Sequence, residues 1–197
     1  MALFSYSELS RIPSNEAFDS SLNSTIIKNA TSVSVHQNDK FDIFLSHSYS
    51  DKDIIPQLKK QLESLGYSVY VDWITDRFLS REQVNKATAE VLQKRMKQSK
   101  CLLFATSENS TNSKWMPWEL GYFDGIKSKM VGILPLKKDN NGFNEDFRGQ
   151  EYLGLYFYID KAKISGGIKE ALFVNENSKK YVRFDSWLMG NQPTQRN

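Results

Sequence analysis

Five short apolar, β-favouring runs recur between residues 41 and 159, and segments with helical spacing fill the intervals between them. Phe41-Asp42-Ile43-Phe44-Leu45 predicts a first strand, which stops at the polar cluster Ser46-His47-Ser48-Tyr49-Ser50-Asp51. Such a cluster suits a loop and the capping of a following helix, with Ser48, Ser50 and Asp51 as cap candidates. Ile54, Ile55, Leu58, Leu62 and Leu65 then recur on one helical face, and Gly66 is placed to end that helix. Tyr67 to Asp72 predicts a second strand, with Asp72 at its end. Trp73 to Ser80 reads as a loop, and Val84, Ala87, Val91, Leu92 and Met96 mark a second helix. In that helix Lys94-Arg95-Met96-Lys97 reads as a solvated face. Lys100 to Ala105 is a nearly all-apolar third strand, as expected where both faces of a sheet are covered. A third helix is predicted over 114–126, with Pro117 tolerable in its first turn. Met130 to Pro135 and Leu155 to Ile159 give the fourth and fifth strands, with Tyr152, Tyr156 and Tyr158 expected at a sheet edge.

Strands alternating with helices over short connections predict a parallel sheet covered on both faces. The fold class expected is α/β: a flavodoxin-like, doubly wound parallel five-stranded sheet of order 2-1-3-4-5. Two further runs, Ala171 to Val174 and Tyr181 to Phe184, flank a polar turn and predict a short C-terminal β-hairpin. Residues 1–39 differ in composition: Ser and Asn occupy 13 of the 39 positions. They read as a polar N-terminal arm that is partly disordered or docks on the next domain, with a short amphipathic helix around Phe4 and Leu9. The organisation expected is thus an arm over 1–39, a domain over 40–165 and a hairpin extension over 166–197.

Composition narrows the function classes. The 197 residues are 40% apolar and 25% charged with a formal net charge of +3, a bias too small to suggest nucleic acid or a membrane surface as partner. The longest apolar run, Cys101 to Ala105, is far short of the ~20 residues that cross a bilayer. The N-terminus lacks the basic and apolar regions of a secretory signal, so a cytoplasmic location is the expectation. A single cysteine excludes a disulfide framework, His36 and His47 stand apart, and no metal site is expected.

In an open parallel sheet, ligands bind beyond the carboxyl ends of the strands, near the switch in strand order. Ser46 to Asp51, Asp72 to Ser80 and Asn109 to Glu119 fall there. Neither G-x-G-x-x-G nor a Walker loop is present. The informative string is Trp115-Met116-Pro117-Trp118-Glu119. Spacing i, i+4 sets the Trp115 indole and the Glu119 carboxylate on one helix face, one turn apart. An aromatic plane beside a carboxylate suits a planar cationic group attached to a sugar: the ring stacks on the base while the carboxylate stabilises positive charge developing at the ribose. In the competing reading Trp115 packs in the core and Glu119 faces solvent. Trp118 and Tyr122 read as packing partners.

Three motifs in this order resemble those of TIR (Toll/interleukin-1 receptor) domains over about residues 40–160: Phe41 to Ser48 with Asp51, Gly66 to Asp72, and the W-x-x-x-E pair Trp115 and Glu119. Catalytic TIR domains cleave the bond between nicotinamide and ribose in NAD+. The resemblance implies that Glu119 is the essential glutamate and that Trp115 positions the nicotinamide or an attacking base. It also implies that Ser46, His47 and Ser48 line the cleft near ribose and phosphates, with Trp73 as an aromatic wall and Asp72 beside it. NAD+ would be substrate rather than cofactor. TIR–TIR self-association, and a nucleotide-sensing effector reached through the product, are implied as partners. Lone TIR domains with short extensions resemble bacterial antiphage proteins of the Thoeris type, which turn NAD+ into a signalling nucleotide such as a cyclic ADP-ribose. The loop from Trp73 to Ser80 departs from many TIR domains in carrying neither Gly nor Pro near its tip.

Three other readings compete. A non-catalytic TIR adaptor would act through association alone. A phosphoacceptor receiver domain needs an acidic pair after the first strand, where Ser46 and His47 stand instead. A nucleoside deoxyribosyltransferase-like enzyme would share the N-glycosidic chemistry and the carboxylate.

Overall fold

A computed structural model describes residues 2–13, 39–76, 79, 85–137, 151–164 and 169–195. Much of the polar arm, His36, Val84 and the tip of the loop after the second strand lie outside the described residues.

The five expected parallel strands are β2 (Phe41–Ser46), β3 (Val69–Tyr70), β4 (Ser99–Thr106), β5 (Val131–Lys137) and β6 (Phe157–Lys163). They lie side by side in the order β3-β2-β4-β5-β6, all parallel, which is the doubly wound order. Residues alternate strictly between the two faces. Ile43, Leu45, Cys101, Leu103, Leu134 and Leu136 join one apolar cluster; Phe44, Leu102, Phe104, Val131 and Ile133 join the other. Side chains of successive strand residues point to opposite faces, so continuous apolar runs are what a sheet covered on both sides demands.

Helix α2 (Ile55–Ser64) covers the first face with Ile55, Leu58 and Leu62, all fully buried. It stops at Gly66, whose φ of +97° admits the left-handed turn; Gly66 N donates to Glu63 O and Tyr67 N to Leu62 O. Helices α4 (Lys86–Gln98) and α5 (Trp115–Ile126) cover the second face through Leu92 and Met96, and Met116, Leu120 and Phe123. Full burial of each such side chain stabilises by roughly 1.5–3 kcal/mol.

Both ends of the chain join this sheet. β1 (Phe4–Ser5) pairs with β5 at Leu136 and Lys137, and α1 (Tyr6–Leu9) follows at once, capped by Ser5. Phe4 and Leu9 are fully buried in the first cluster, and Lys161 reaches Glu8 as an ion pair. The first residues of the arm are therefore docked. At the other end β7 (Glu170–Asn177) runs antiparallel along β6, β8 (Lys180–Arg183) completes the hairpin, and β9 (Thr194–Gln195) pairs with β8. Short helix α6 (Phe184–Leu188) folds Phe184 and Trp187 back onto the first face.

The hairpin alters one expectation: β6 is interior rather than an edge. Tyr158 is accordingly buried in the second cluster, whereas Tyr156 is half-buried and donates to Asp124 and Tyr152 is exposed. A second difference concerns residues 72–75, expected as a strand end and loop but found as a short helix, α3 (Asp72–Thr75). Asp72 supplies an acidic side chain to its first turn, where the helix dipole favours negative charge. Among the described residues no helix is long and apolar enough to cross a membrane.

Candidate active site at the carboxyl ends of the strands

β2 lies at the switch in strand order, with β3 on one side and β4 on the other. Its last residue, Ser46, and the next residue, His47, feed two separate clusters, because the two-residue alternation of extended chain sends neighbours in opposite directions. Ser46 points toward α5 and His47 toward α3.

Ser46 Oγ donates to Glu119 Oε2 at 2.6 Å, a charge-assisted bond, and both residues are fully buried. Glu119 belongs to the inward stripe of α5 with Trp115, Met116, Leu120 and Phe123. A carboxylate at a core position is costly unless hydrogen-bonded, and Ser46 supplies such a bond. Glu119 therefore does not face solvent. Trp115 packs in the second apolar cluster at 5% exposure, so it combines the core position of one reading with the carboxylate neighbour of the other. Its ring meets Trp118 edge-on at 5.5 Å, and Trp118 stacks on Tyr122 at 5.7 Å, the packing role expected for that pair. Pro117 falls in the first turn of α5, and Ser113 Oγ accepts from Met116 N just ahead of it.

The second cluster holds His47, Asp72 and Trp73. The buried His47 ring spans two partners: Nδ1 lies 2.9 Å from Leu45 O, and Nε2 lies 2.8 Å from Trp73 Nε1. An indole N–H only donates and a carbonyl only accepts, which fixes His47 as the neutral tautomer with its proton on Nδ1. Asp72 Oδ1 stands 3.8 Å from the same Nε2. Trp73 is half-buried, and Tyr49 meets its ring edge-on at 6.5 Å.

Ser48 caps a 3-10 turn (Tyr49–Asp51), accepting from Ser50 N at 3.3 Å. Asp51, a cap candidate in the sequence, does something else. Its buried carboxylate accepts from Tyr6 Oη at 2.7 Å, Ser107 Oγ at 2.6 Å and Asn109 Nδ2 at 2.5 Å. It thereby ties the N-terminal segment to the loops after β2 and β4, which flank the site. Burial and the Asp51 contact push the Tyr6 phenol up to about 12. The polar string around Asp51 signalled a role for that residue, and Asn109 opens one of the strand-end segments singled out in the sequence; nothing in the sequence pointed to Tyr6 or Ser107.

The expected solvated face on α4 is corrected here. Arg95 and Met96 are buried, because Arg95 forks onto Asp76, Nε to Oδ2 at 2.8 Å and Nη2 to Oδ1 at 2.7 Å. It also reaches Asp39 at 2.6 Å and lies over the rings of Phe41 and Tyr70. These carboxylates hold the guanidinium charged despite its burial. Asp76 ends α3 and accepts in addition from Tyr70 Oη, so the root of the loop that follows is anchored. Among the described residues, no group of three or more His, Cys, Asp or Glu side chains is placed to hold a metal ion.

The family model for the TIR domain matches residues 43–166. The chain belongs to the TIR domain family. Over 155 residues, 79% of each chain, this TIR protein is 52% identical to a protein of Bacillus cereus (strain MSX-D12) named as a probable 3' cyclic ADP-D-ribose synthase, ThsB'. It is 40% identical over 98 residues to a Cytobacillus dafuensis protein provisionally named cyclic ADP-D-ribose synthase TIR2, a match spanning 49% of this chain and 26% of that one.

Proposed function

We propose that this TIR domain breaks the nicotinamide–ribose bond of NAD+ and closes the remaining ADP-ribose into a cyclic signal, as the signal-producing enzyme of a Thoeris-type antiphage system. The observation that carries the reading is the Glu119 carboxylate, held in the inward stripe of α5 one turn after Trp115. The names of the two relatives support the cyclic product.

Nicotinamide leaves NAD+ as a neutral base, and the ribose left behind has oxocarbenium character. A carboxylate beside that carbon stabilises the developing charge and accepts from the ribose hydroxyls. Glu119 takes this role, and Trp115 orients the departing or attacking base. Ser46 bonds the carboxylate, while Ser48 and the His47–Asp72–Trp73 cluster shape the adjoining wall. Water as nucleophile would give linear ADP-ribose, the glycohydrolase outcome; a nucleophile of the same molecule gives the cyclic one. NAD+ is consumed as a substrate, and this route calls for no metal or redox cofactor.

Substrate reaches Glu119 only when the Ser46–Glu119 corner opens, and TIR–TIR association is the step assigned to that opening. The product then acts on a nucleotide-sensing effector. An adaptor working by association alone would have no use for a costly buried carboxylate.

The test is incubation of purified protein with NAD+ over a protein concentration series, following nicotinamide release and the product mass, with Glu119→Ala in parallel. Wild type should release nicotinamide and yield a product one water lighter than ADP-ribose, and the variant neither. Equal release by both proteins, or none at any concentration, overturns the reading.

A further inference from the structure

Residues 46–51 and 107–119 are joined at both ends. At one end Ser46 Oγ donates to Glu119 Oε2; at the other, Asp51 accepts from Ser107 Oγ on Oδ2 and from Asn109 Nδ2 on Oδ1. The first segment carries the strand-end residues Ser46, His47 and Ser48, and the second leads into α5 with Trp115 and Glu119. Asp51 is 2% exposed, and a carboxylate at that depth is tolerated only where donors meet it. A third donor comes from neither segment: Tyr6 Oη, on α1, bonds the same Oδ1 at 2.7 Å.

Tyr6 stands on fixed ground. β1 pairs with β5 just before it, and Phe4 and Leu9 are fully buried on either side of it in the chain. Glu8 pairs with Lys161 on β6 and accepts from Gln61 on α2. The loop after β4 is braced as well: Ser107 Oγ accepts from Asn109 N, and Ser110 Oγ donates to Ser107 O at 2.7 Å. Ser107 and Asn109 therefore hold that loop as one piece against Asp51. We propose that Asp51 is a positioning residue of the NAD+ cleft: with Tyr6 as its strut to the sheet, it clasps the loops after β2 and β4 together while the Ser46–Glu119 corner opens. The N-terminal segment thereby becomes part of the substrate site's framework, acting through the loops rather than on the reacting atoms.

The consequence for NAD+ rests on the activity proposed above; the coupling of Tyr6 to the two loops does not. Its own readout is hydrogen exchange of the full chain, followed by mass spectrometry. Tyr6→Phe deletes one donor to Asp51, and amide exchange at 47–51 and 107–113 should quicken by about threefold to tenfold, the worth of one hydrogen bond. Loop amides exchange through local openings, which a loss of global stability alone does not touch, so this response separates positioning from stabilisation. Quickened exchange within residues 2–13 and the strands, with both loops unchanged, overturns the proposal.

The second readout is kinetic. The KM for NAD+ should rise in Tyr6→Phe by a similar factor, with kcat changed by about twofold or less, because the cleft walls loosen while Glu119 keeps its bond to Ser46. Asn109→Asp sets one carboxylate against another and should raise KM further. Adding Asp51→Asn to it restores an amide–carboxylate pair across the same gap and should recover most of the loss. A fall in kcat without a change in KM, or no recovery in the double variant, overturns the positioning role. Loop exchange that responds as expected, in a protein that does not cleave NAD+, supports the clasp and removes the proposed activity.

Discussion

Ser46 and Glu119 lie 73 residues apart in the chain, yet the hydroxyl of one donates to the carboxylate of the other at 2.6 Å, with both buried. This bond joins the end of β2 to the inward face of α5, and it makes opposite demands on stability and on chemistry. Glu119→Gln keeps the shape and a hydrogen-bond acceptor but removes the charge. Nicotinamide release should fall by about a hundredfold or more, as for other preorganised charge stabilisers. The melting temperature should not drop, because a costly buried charge has been removed. Ser46→Ala removes one donor from the buried carboxylate and should cost about 1–3 kcal/mol in urea denaturation.

The N-terminal segment should prove part of the folded domain. Phe4 is fully buried, so Phe4→Ala should cost about 3–5 kcal/mol. Tyr6→Phe deletes only the donation to Asp51, for about 1.5 kcal/mol. With the phenol pushed up to about 12, that contribution is full below its ordinary value of 10.0 and is lost as pH rises through about 12. Denaturation midpoints of the two variants against wild type, at neutral and alkaline pH, check both.

Asp160 on β6 predicts a trend of the same sign, nearer neutrality. Its side chain is 1% exposed, and Oδ1 has no hydrogen-bond partner among the described residues. Burial raises its carboxyl from 3.8 to about 6, and Asn175 only partly offsets this. The folded state therefore holds the proton more tightly than the unfolded chain. The resulting stability is full below the ordinary value and is lost as pH rises through about 6, by roughly 3 kcal/mol at most. Asp160→Asn should abolish this slope and gain stability at neutral pH. A slope that persists in the variant would place its origin elsewhere.

Arg95 and Asp76 should behave as a buried pair. Asp76→Ala leaves the guanidinium without its fork partner and should cost about 3–5 kcal/mol, whereas Arg95→Met combined with Asp76→Leu and Tyr70→Phe, which removes the hydroxyl that Asp76 accepts from, should come close to neutral. Urea denaturation of the single and combined variants measures the coupling. Arg95→Lys should not rescue, since an ammonium cannot engage both carboxylate oxygens in the same planar geometry.

Some of these features could be read along the chain. Strand and helix positions followed from apolar periodicity, because covering both faces of a sheet forces continuous runs such as Cys101 to Ala105. The Trp115–Glu119 pair was legible because i, i+4 spacing alone fixes a shared helix face. The inward turn of Arg95 was not legible. Its neighbours Lys94 and Lys97 give the solvated pattern, and the partner that draws it in, Asp76, lies on another element. The helix at Asp72–Thr75 was missed for a similar reason: four residues carry too little periodicity to register.

By itself, the sequence determined the doubly wound sheet, the hairpin and the placing of Ser46, His47 and Glu119 near strand ends. Local periodicity and strand order suffice for those. Only the tertiary structure decided that Ser46 serves Glu119 while His47 serves Trp73, that Tyr6 docks on Asp51, and that β7 makes β6 an interior strand. Each of these joins residues from separate elements, and such partnerships depend on how the elements pack.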